Sequence, residues 1–205
     1  NDKQRSIPNW TNLQLPFLED LNKAGYETHE IDTVMCTHLH VDHVGWNTML
    51  VDGKWIPTFP NARYLMGRTE YEYWDKAEAD KPESDKAPDE LNQGVMGDSV
   101  RPVFDAGLVD LVEMNHSVCD EVFLEPTTGH TPGHVSIHIQ SEGAEALITG
   151  DCIHHPCQIE HLDWASSADF DQTASTATRV ELMEKYVDSD ILIIGTHFAT
   201  PTAGH

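Results

Sequence analysis

The stretch "MCTHLHVDHVGW", residues 35–46, sets three histidines and one aspartate within six residues, directly after the apolar run "IDTVMC". His38, His40, Asp42 and His43 all carry metal-ligand chemistry, and burying them is costly unless their lone pairs are saturated. A bound cation saturates them. The pattern constrains the fold as well: a short strand must end in a loop that can turn several polar side chains toward one place.

Short runs rich in Val, Ile and Leu predict further strands at "ARYLMG" (62–67), "LVDLVE" (108–113), "EVFLE" (121–125), "VSIHIQ" (135–140), "EALITG" (145–150) and "DILIIG" (190–195). Helical patterns fall between them, at "RTEYEYWDKAE", which presents Tyr71 and Trp74, within "DELNQGVMGDSVRPVFDAG", and at "TASTATRVELMEKYV" (173–187). Strands mixed with helices predict an α/β layered fold. Three more candidate ligands follow strand ends: His130 after "EVFLE", Asp151 after "EALITG" and His197 after "DILIIG". Loops beyond the carboxyl ends of strands are where ligands gather in such sheets, so these residues are expected at one edge.

Spacing adds detail. Residues two apart in an extended segment point the same way, so His38 and His40 can grip one ion. The run "DHVGWNTML" reads as the opening turns of a helix, which would direct Asp42 and His43 to a second ion while Gly45 permits close approach. Histidine nitrogen with carboxylate oxygen suits zinc, with manganese, iron and cobalt as alternatives. Two divalent ions are the expected cofactors.

Length and charge narrow the partners. A chain of 205 residues suits one domain, 1–205, and it contains no run long and apolar enough for a membrane span. With 35 Asp plus Glu against 12 Lys plus Arg, the formal charge of −23 repels phosphate backbones and acidic membranes. Nucleic acid and membrane are therefore excluded as expected partners. A small neutral substrate fits better; the oligomeric state is left open, with a homodimer one option. Cys36, Cys119, Cys152 and Cys157 form no C-x-x-C pair and read as free thiols. The charged excursion "DKAEADKPESDKAPDE" (75–90) reads as a solvated loop or lid. The chain opens at Asn1 without a signal-peptide pattern; a cytoplasmic location is favoured, with export left open.

In this order, "THLHVDH", "TTGHTPGH", "TGD" and "GTH" resemble the metallo-β-lactamase superfamily. "THLHVDHVGWNT", "HTPGHVSIHI", "GDCIHHPCQ" and "GTHFATPTAG" are more particularly similar to its branch of quorum-quenching lactonases and methyl parathion hydrolase. The resemblance implies an αββα four-layer sandwich with a dinuclear metal centre. It implies His38, His40 and His130 on the first metal, Asp42, His43 and His197 on the second, and Asp151 bridging, with Asp42 and Asp151 the carboxylates of the catalytic site. Family members begin with further strands and continue past the GTH motif, so the resemblance implies a core lacking both terminal segments.

The implied chemistry is hydrolysis without a protein nucleophile. Two divalent ions with Asp42, Asp151 and a bridging hydroxide leave the site about one unit positive, which favours an anionic tetrahedral intermediate on a neutral substrate. A lactone or related ester leads, N-acyl homoserine lactones included, with phosphotriesters as a neighbouring class. β-Lactam hydrolysis ranks below, because β-lactamases of the His-x-His-x-Asp-His pattern lack a bridging carboxylate where Asp151 stands. A metal-bound sensor is the non-enzymatic alternative, and an intact ligand set argues against it.

The remaining histidines take plainer readings. His134 is expected to pack or to support a ligand, His138 to face solvent from its strand, and His154 and His155 either to line the pocket or to hold structure. Cys152 reads as a buried neighbour of Asp151. Of Trp46, Phe59, Trp74, Trp164 and Phe198, the aromatics that could wall an apolar pocket, Trp46 and Phe198 lie nearest the ligands in sequence.

Overall fold

Each of the seven apolar runs forms a strand in the computed structural model, which describes residues 5, 7–79 and 94–205. The chain divides into two compact units: one takes in the chain up to Met66 together with Tyr71–Leu111, the other Gly67–Glu70 together with Val112–His205.

The first unit carries α1 (Phe17–Lys23), β1 (Thr33–Cys36), β2 (Thr48–Val51), β3 (Lys54–Pro57), β4 (Arg63–Gly67), most of α2 (Arg68–Ala79), α3 (Arg101–Asp105) and β5 (Val109–Val112). Strands β1, β4 and β5 lie in that order in one sheet, with β1 parallel to β4 in the register Thr33 to Arg63. Buried Cys36, Tyr64, Met66, Trp74, Val100 and Val103 belong to one core. The Tyr64 hydroxyl donates to Asn47 O at 3.2 Å and accepts from Phe59 N at 3.0 Å, and burial pushes its pKa up to about 12.

The expected helix at "DHVGWNTML" does not form. The His43 and Val44 amides both donate to His40 O, at 3.1 and 3.3 Å, closing a turn; Gly45–Asn47 make a single 3₁₀ turn, and Thr48–Val51 is β2. Strand pairing wins because Asp52 and Gly53 adopt φ of 49° and 77°, the left-handed pair that a two-residue hairpin turn requires, and join β2 to β3. Of the charged excursion, residues 75–79 are the end of α2, while 80–90 lie outside the described residues. In the segment after it, Met96–Val100 forms a π-helical turn that leads into α3.

The second unit holds β6 (Val122–Pro126), β7 (Val135–Ser141), β8 (Ala144–Ile148), α4 (Cys157–Glu160), α5 (Gln172–Tyr186), β9 (Leu192–Ile194) and β10 (Ala203–Gly204). Its sheet runs β10-β9-β8-β7-β6, antiparallel except for the parallel β8–β9 pair. Leu147, Cys152, Ile153, Leu182 and Ile191 form its core. His138 does not face solvent as expected: it is 6% exposed, with Nδ1 3.0 Å from the Tyr186 hydroxyl of α5 and Nε2 3.0 Å from Glu145. Alternation along β7 marks two faces, but Tyr186 reaches over the face that carries His138 and closes it from water.

Candidate metal centre

In the first unit the apolar residues between the ligands do the anchoring. Leu39, Val41 and Val44 are buried and belong to the core; Leu39 and Val41, two apart, leave His38 and His40 on the other side, and the turn closed on His40 O brings Asp42 and His43 round after them. His38 Nδ1 lies 3.1 Å from Thr37 Oγ1, and His38 Nε2 lies 3.1 Å from His40 Nδ1. The His38 and His43 rings are 4.1 Å apart between centroids, and His43 Nε2 is 3.6 Å from Asp42 Oδ2. The four residues of the first motif are thus assembled together. Asp42 also lines a cavity of about 230 Å³ with Arg5, Trp10, Leu13, Leu15, Val41, Gly45 and Trp46.

In the second unit His130, Asp151 and His197 come together. Asp151 Oδ2 is 3.3 Å from His130 Nε2 and 3.1 Å from His197 Nε2, and the carboxylate is buried. Asp151 sits in the short helical turn after β8, with Gly150 before it at φ 53°. His130 is held by backbone: its carbonyl accepts from Phe170 N at 3.0 Å, and Gly129 O accepts from Asp171 N at 2.9 Å. Asp171 caps α5 by accepting from Thr173 N and Ala174 N. Thr178 Oγ1 donates to Thr128 O at 2.7 Å, which ties the same loop to α5.

Two residues carry more of this site than their sequence context suggests. Asp169 accepts from His130 Nδ1 at 3.0 Å and from Ser166 N at 2.9 Å. Burial raises its pKa, but hydrogen bonds from His130, the Ser166 amide and Ser175 outweigh that and hold it below the usual carboxylate value. Ionised Asp169 keeps the His130 proton on Nδ1, which leaves the Nε2 lone pair aimed at Asp151. With Nδ1 occupied by Asp169, an imidazole nitrogen and a carboxylate oxygen 3.3 Å apart are a donor set that fits a divalent metal. The signal for Asp169 was absent from spacing, since 39 positions separate it from its partner.

The second such residue is His154. Its Nε2 lies 3.4 Å from the same Asp151 Oδ2, and its ring stacks on His197 with 5.5 Å between centroids. His155 is exposed, and its Nδ1 accepts from Cys157 N at 3.1 Å. His134 is fully buried; its Nδ1 faces Thr127 O at 2.9 Å and its Nε2 accepts from Asp151 N at 2.9 Å, so both nitrogens are committed to support. Burial pushes the Cys152 thiol up to about 12, and it stays protonated as a packing neighbour. Arg179, fully buried, donates to the carbonyls of Cys152, Leu162 and Trp164 and clamps the segment after Asp151. Among the aromatics, Phe59 and Trp74 are core, Phe198 packs beside the second core, Trp164 is exposed on His161, and Trp46 lines the cavity beside Asp42.

Comparison with known proteins gives this geometry a lineage. The family model described as the metallo-beta-lactamase superfamily matches residues 9–196. An N-acyl homoserine lactonase of Bacillus thuringiensis is 27% identical over 128 residues, 62% of this chain and 40% of that protein, so the match spans well under half of the curated relative. Among solved structures, the dizinc quorum-quenching lactonase AidC is 25% identical with a TM-score of 0.75, over 92% of this chain and 65% of its own. The hydrolase AbOPH shares the fold at a TM-score of 0.81 and 24% identity, over 98% of this chain and 68% of its own. The chain belongs to the metallo-beta-lactamase superfamily.

Proposed function

We propose that this chain is the hydrolytic core of an enzyme that opens a neutral lactone or related ester, with N-acyl homoserine lactones the leading substrates. His38, His40 and His130 would hold one divalent ion and Asp42, His43 and His197 a second, zinc for preference, with Asp151 offered to both. Asp151 carries the reading: its buried carboxylate oxygen lies 3.1 Å from His197 Nε2 and 3.3 Å from His130 Nε2, which supports a shared anionic ligand. Divalent ions at these residues supply Lewis acidity and lower the pKa of a coordinated water.

The chain's own residues supply orientation. Asp169 holds His130 in the ligating tautomer, His134 fixes the Asp151 backbone, and Leu39 and Val44 pin the first motif to its core. The cavity beside Asp42 is lined largely by apolar side chains, and its Arg5 is paired with Asp98, so it suits an uncharged group of the substrate, and a net charge of −23 disfavours anionic ones. Lactonases among the relatives support the same class. β-Lactams rank lower because of the carboxylate at Asp151.

Metal analysis of chelator-free full-length protein, followed by a panel of an acyl-homoserine lactone, an aryl ester, a phosphotriester and a chromogenic cephalosporin, tests the reading. The expected result is two ions per chain and a kcat/KM for lactone or ester at least about 100-fold above the cephalosporin, a gap of roughly 2.7 kcal/mol. One ion per chain with no gain on added zinc or manganese overturns the dinuclear centre, and faster cephalosporin turnover overturns the substrate class.

A further inference from the structure

His154 approaches the carboxylate of Asp151 nearly as closely as the proposed ligands His130 and His197 do, yet its surroundings differ from theirs. Its Nε2 is 3.4 Å from Asp151 Oδ2, against 3.3 Å for His130 and 3.1 Å for His197. A histidine that ligates a metal through one ring nitrogen donates its other N–H to a partner, which fixes the tautomer. His130 meets that condition through Asp169. For His154, Nδ1 is buried with no hydrogen-bond partner among the described residues, so a proton there would be a buried, unsatisfied donor. The favoured proton is on Nε2, where it faces a carboxylate.

The backbone beneath the ring is built to hold it there. Gln158 Oε1 accepts from His154 N at 2.7 Å and from His155 N at 3.3 Å, while Gln158 Nε2 donates to Trp164 O at 2.7 Å. The ring stands edge-on to His130 at 4.9 Å and parallel to His197 at 5.5 Å between centroids, so it is confined on two sides.

We propose that His154 is a positioning residue, whose Nε2–H restrains the Asp151 carboxylate while His134 restrains the Asp151 amide, so that two histidines outside the ligand set fix the shared ligand at both ends. This rests on the assignment of Asp151 as the shared ligand.

The test compares full-length His154→Phe, which keeps a ring but loses the donor, with His154→Gln, which keeps an N–H at similar reach, and His155→Ala as control. Zinc affinity is read by competition with a chromogenic chelator, the spectrum of the cobalt-substituted protein reports the coordination sphere, and kcat and KM are measured on whichever panel substrate is turned over. His154→Phe is expected to weaken zinc about 10 to 100-fold and to lower kcat with little change in KM. His154→Gln should recover most of both losses, His155→Ala should match the parent, and all should keep the parent's stoichiometry. Unchanged zinc affinity in His154→Phe overturns the proposal, as does loss of one ion with an altered cobalt spectrum, which would make His154 a ligand. Equal losses in His154→Gln and His154→Phe, matched by equal losses of metal-free thermal stability, would assign a packing role and overturn it too. The affinity ranking needs no substrate, so a panel with no turnover would refute the lactone reading while still deciding this one.

Discussion

At the scale of single residues, the arrangement separates ligands from their supports by what each ring nitrogen faces. His134 turns its two nitrogens to Thr127 and to the Asp151 amide, whereas His130 turns Nδ1 to Asp169 and Nε2 to the Asp151 carboxylate. Asp151→Ala removes the carboxylate proposed to be shared, so metal content should fall below two ions per chain and nearly all hydrolysis should be lost. His134→Ala should keep both ions and cost about 10 to 100-fold in affinity or rate. Elemental analysis and kcat at saturating zinc, with circular dichroism to confirm folding, decide it. The ranking fails if His134→Ala loses an ion while Asp151→Ala keeps two.

At the scale of elements, the loops that deliver the ligands are fixed by close backbone approach. Gly129 has φ 125°, and a Cβ there would lie 2.2 Å from Ser175 N in the first turn of α5. Gly129→Ala must therefore displace either α5 or the loop bearing His130, and it should destabilise by about 1–3 kcal/mol. A chemical denaturation midpoint equal to the parent's would count against this packing. On the far end of α5, Glu125 accepts from Lys185 and from the Tyr186 hydroxyl at 2.6 Å. Burial raises the Glu125 pKa, but those two hydrogen bonds outweigh it and the net shift is downward. A carboxyl lowered on folding stabilises above its unfolded pKa, and that contribution disappears as pH falls through the folded value. The gap in thermal stability between parent and Glu125→Gln should thus be full at neutral pH and close in acid, below about pH 4.3. A gap that widens in acid would contradict the assigned shift.

At the scale of the whole molecule, self-repulsion is the dominant electrostatic fact. A formal charge of −23 on 205 residues disfavours compaction, and salt screens it. The melting temperature of the metal-free protein should rise between about 0.01 M and about 1 M sodium chloride, as the screening length falls from roughly 30 Å to 3 Å. A melting temperature that falls over that range would mean that favourable ion pairs, not net repulsion, control stability.

The parts of this protein legible without a structure are those written in local pattern. Seven strands followed from runs of Val, Ile and Leu, α5 from its helical run, and the four strand ends from the polar clusters behind them. Local pattern also misled: "DHVGWNTML" carried a helical look, but the Asp52–Gly53 turn signal behind it made the segment a hairpin. His138 showed strand alternation, which marks two faces without saying which one is covered; Tyr186, 48 positions away, decided that. The ligand types were likewise local, whereas Asp169 on His130 and His154 beside Asp151 depended on contacts that periodicity does not encode. Apolar spacing is selected by the period of the backbone itself and so survives in the one-dimensional chain. Which polar atom meets which, and hence which nitrogen keeps a lone pair for a metal, is settled only when loops distant in sequence are brought together by the packing of the core.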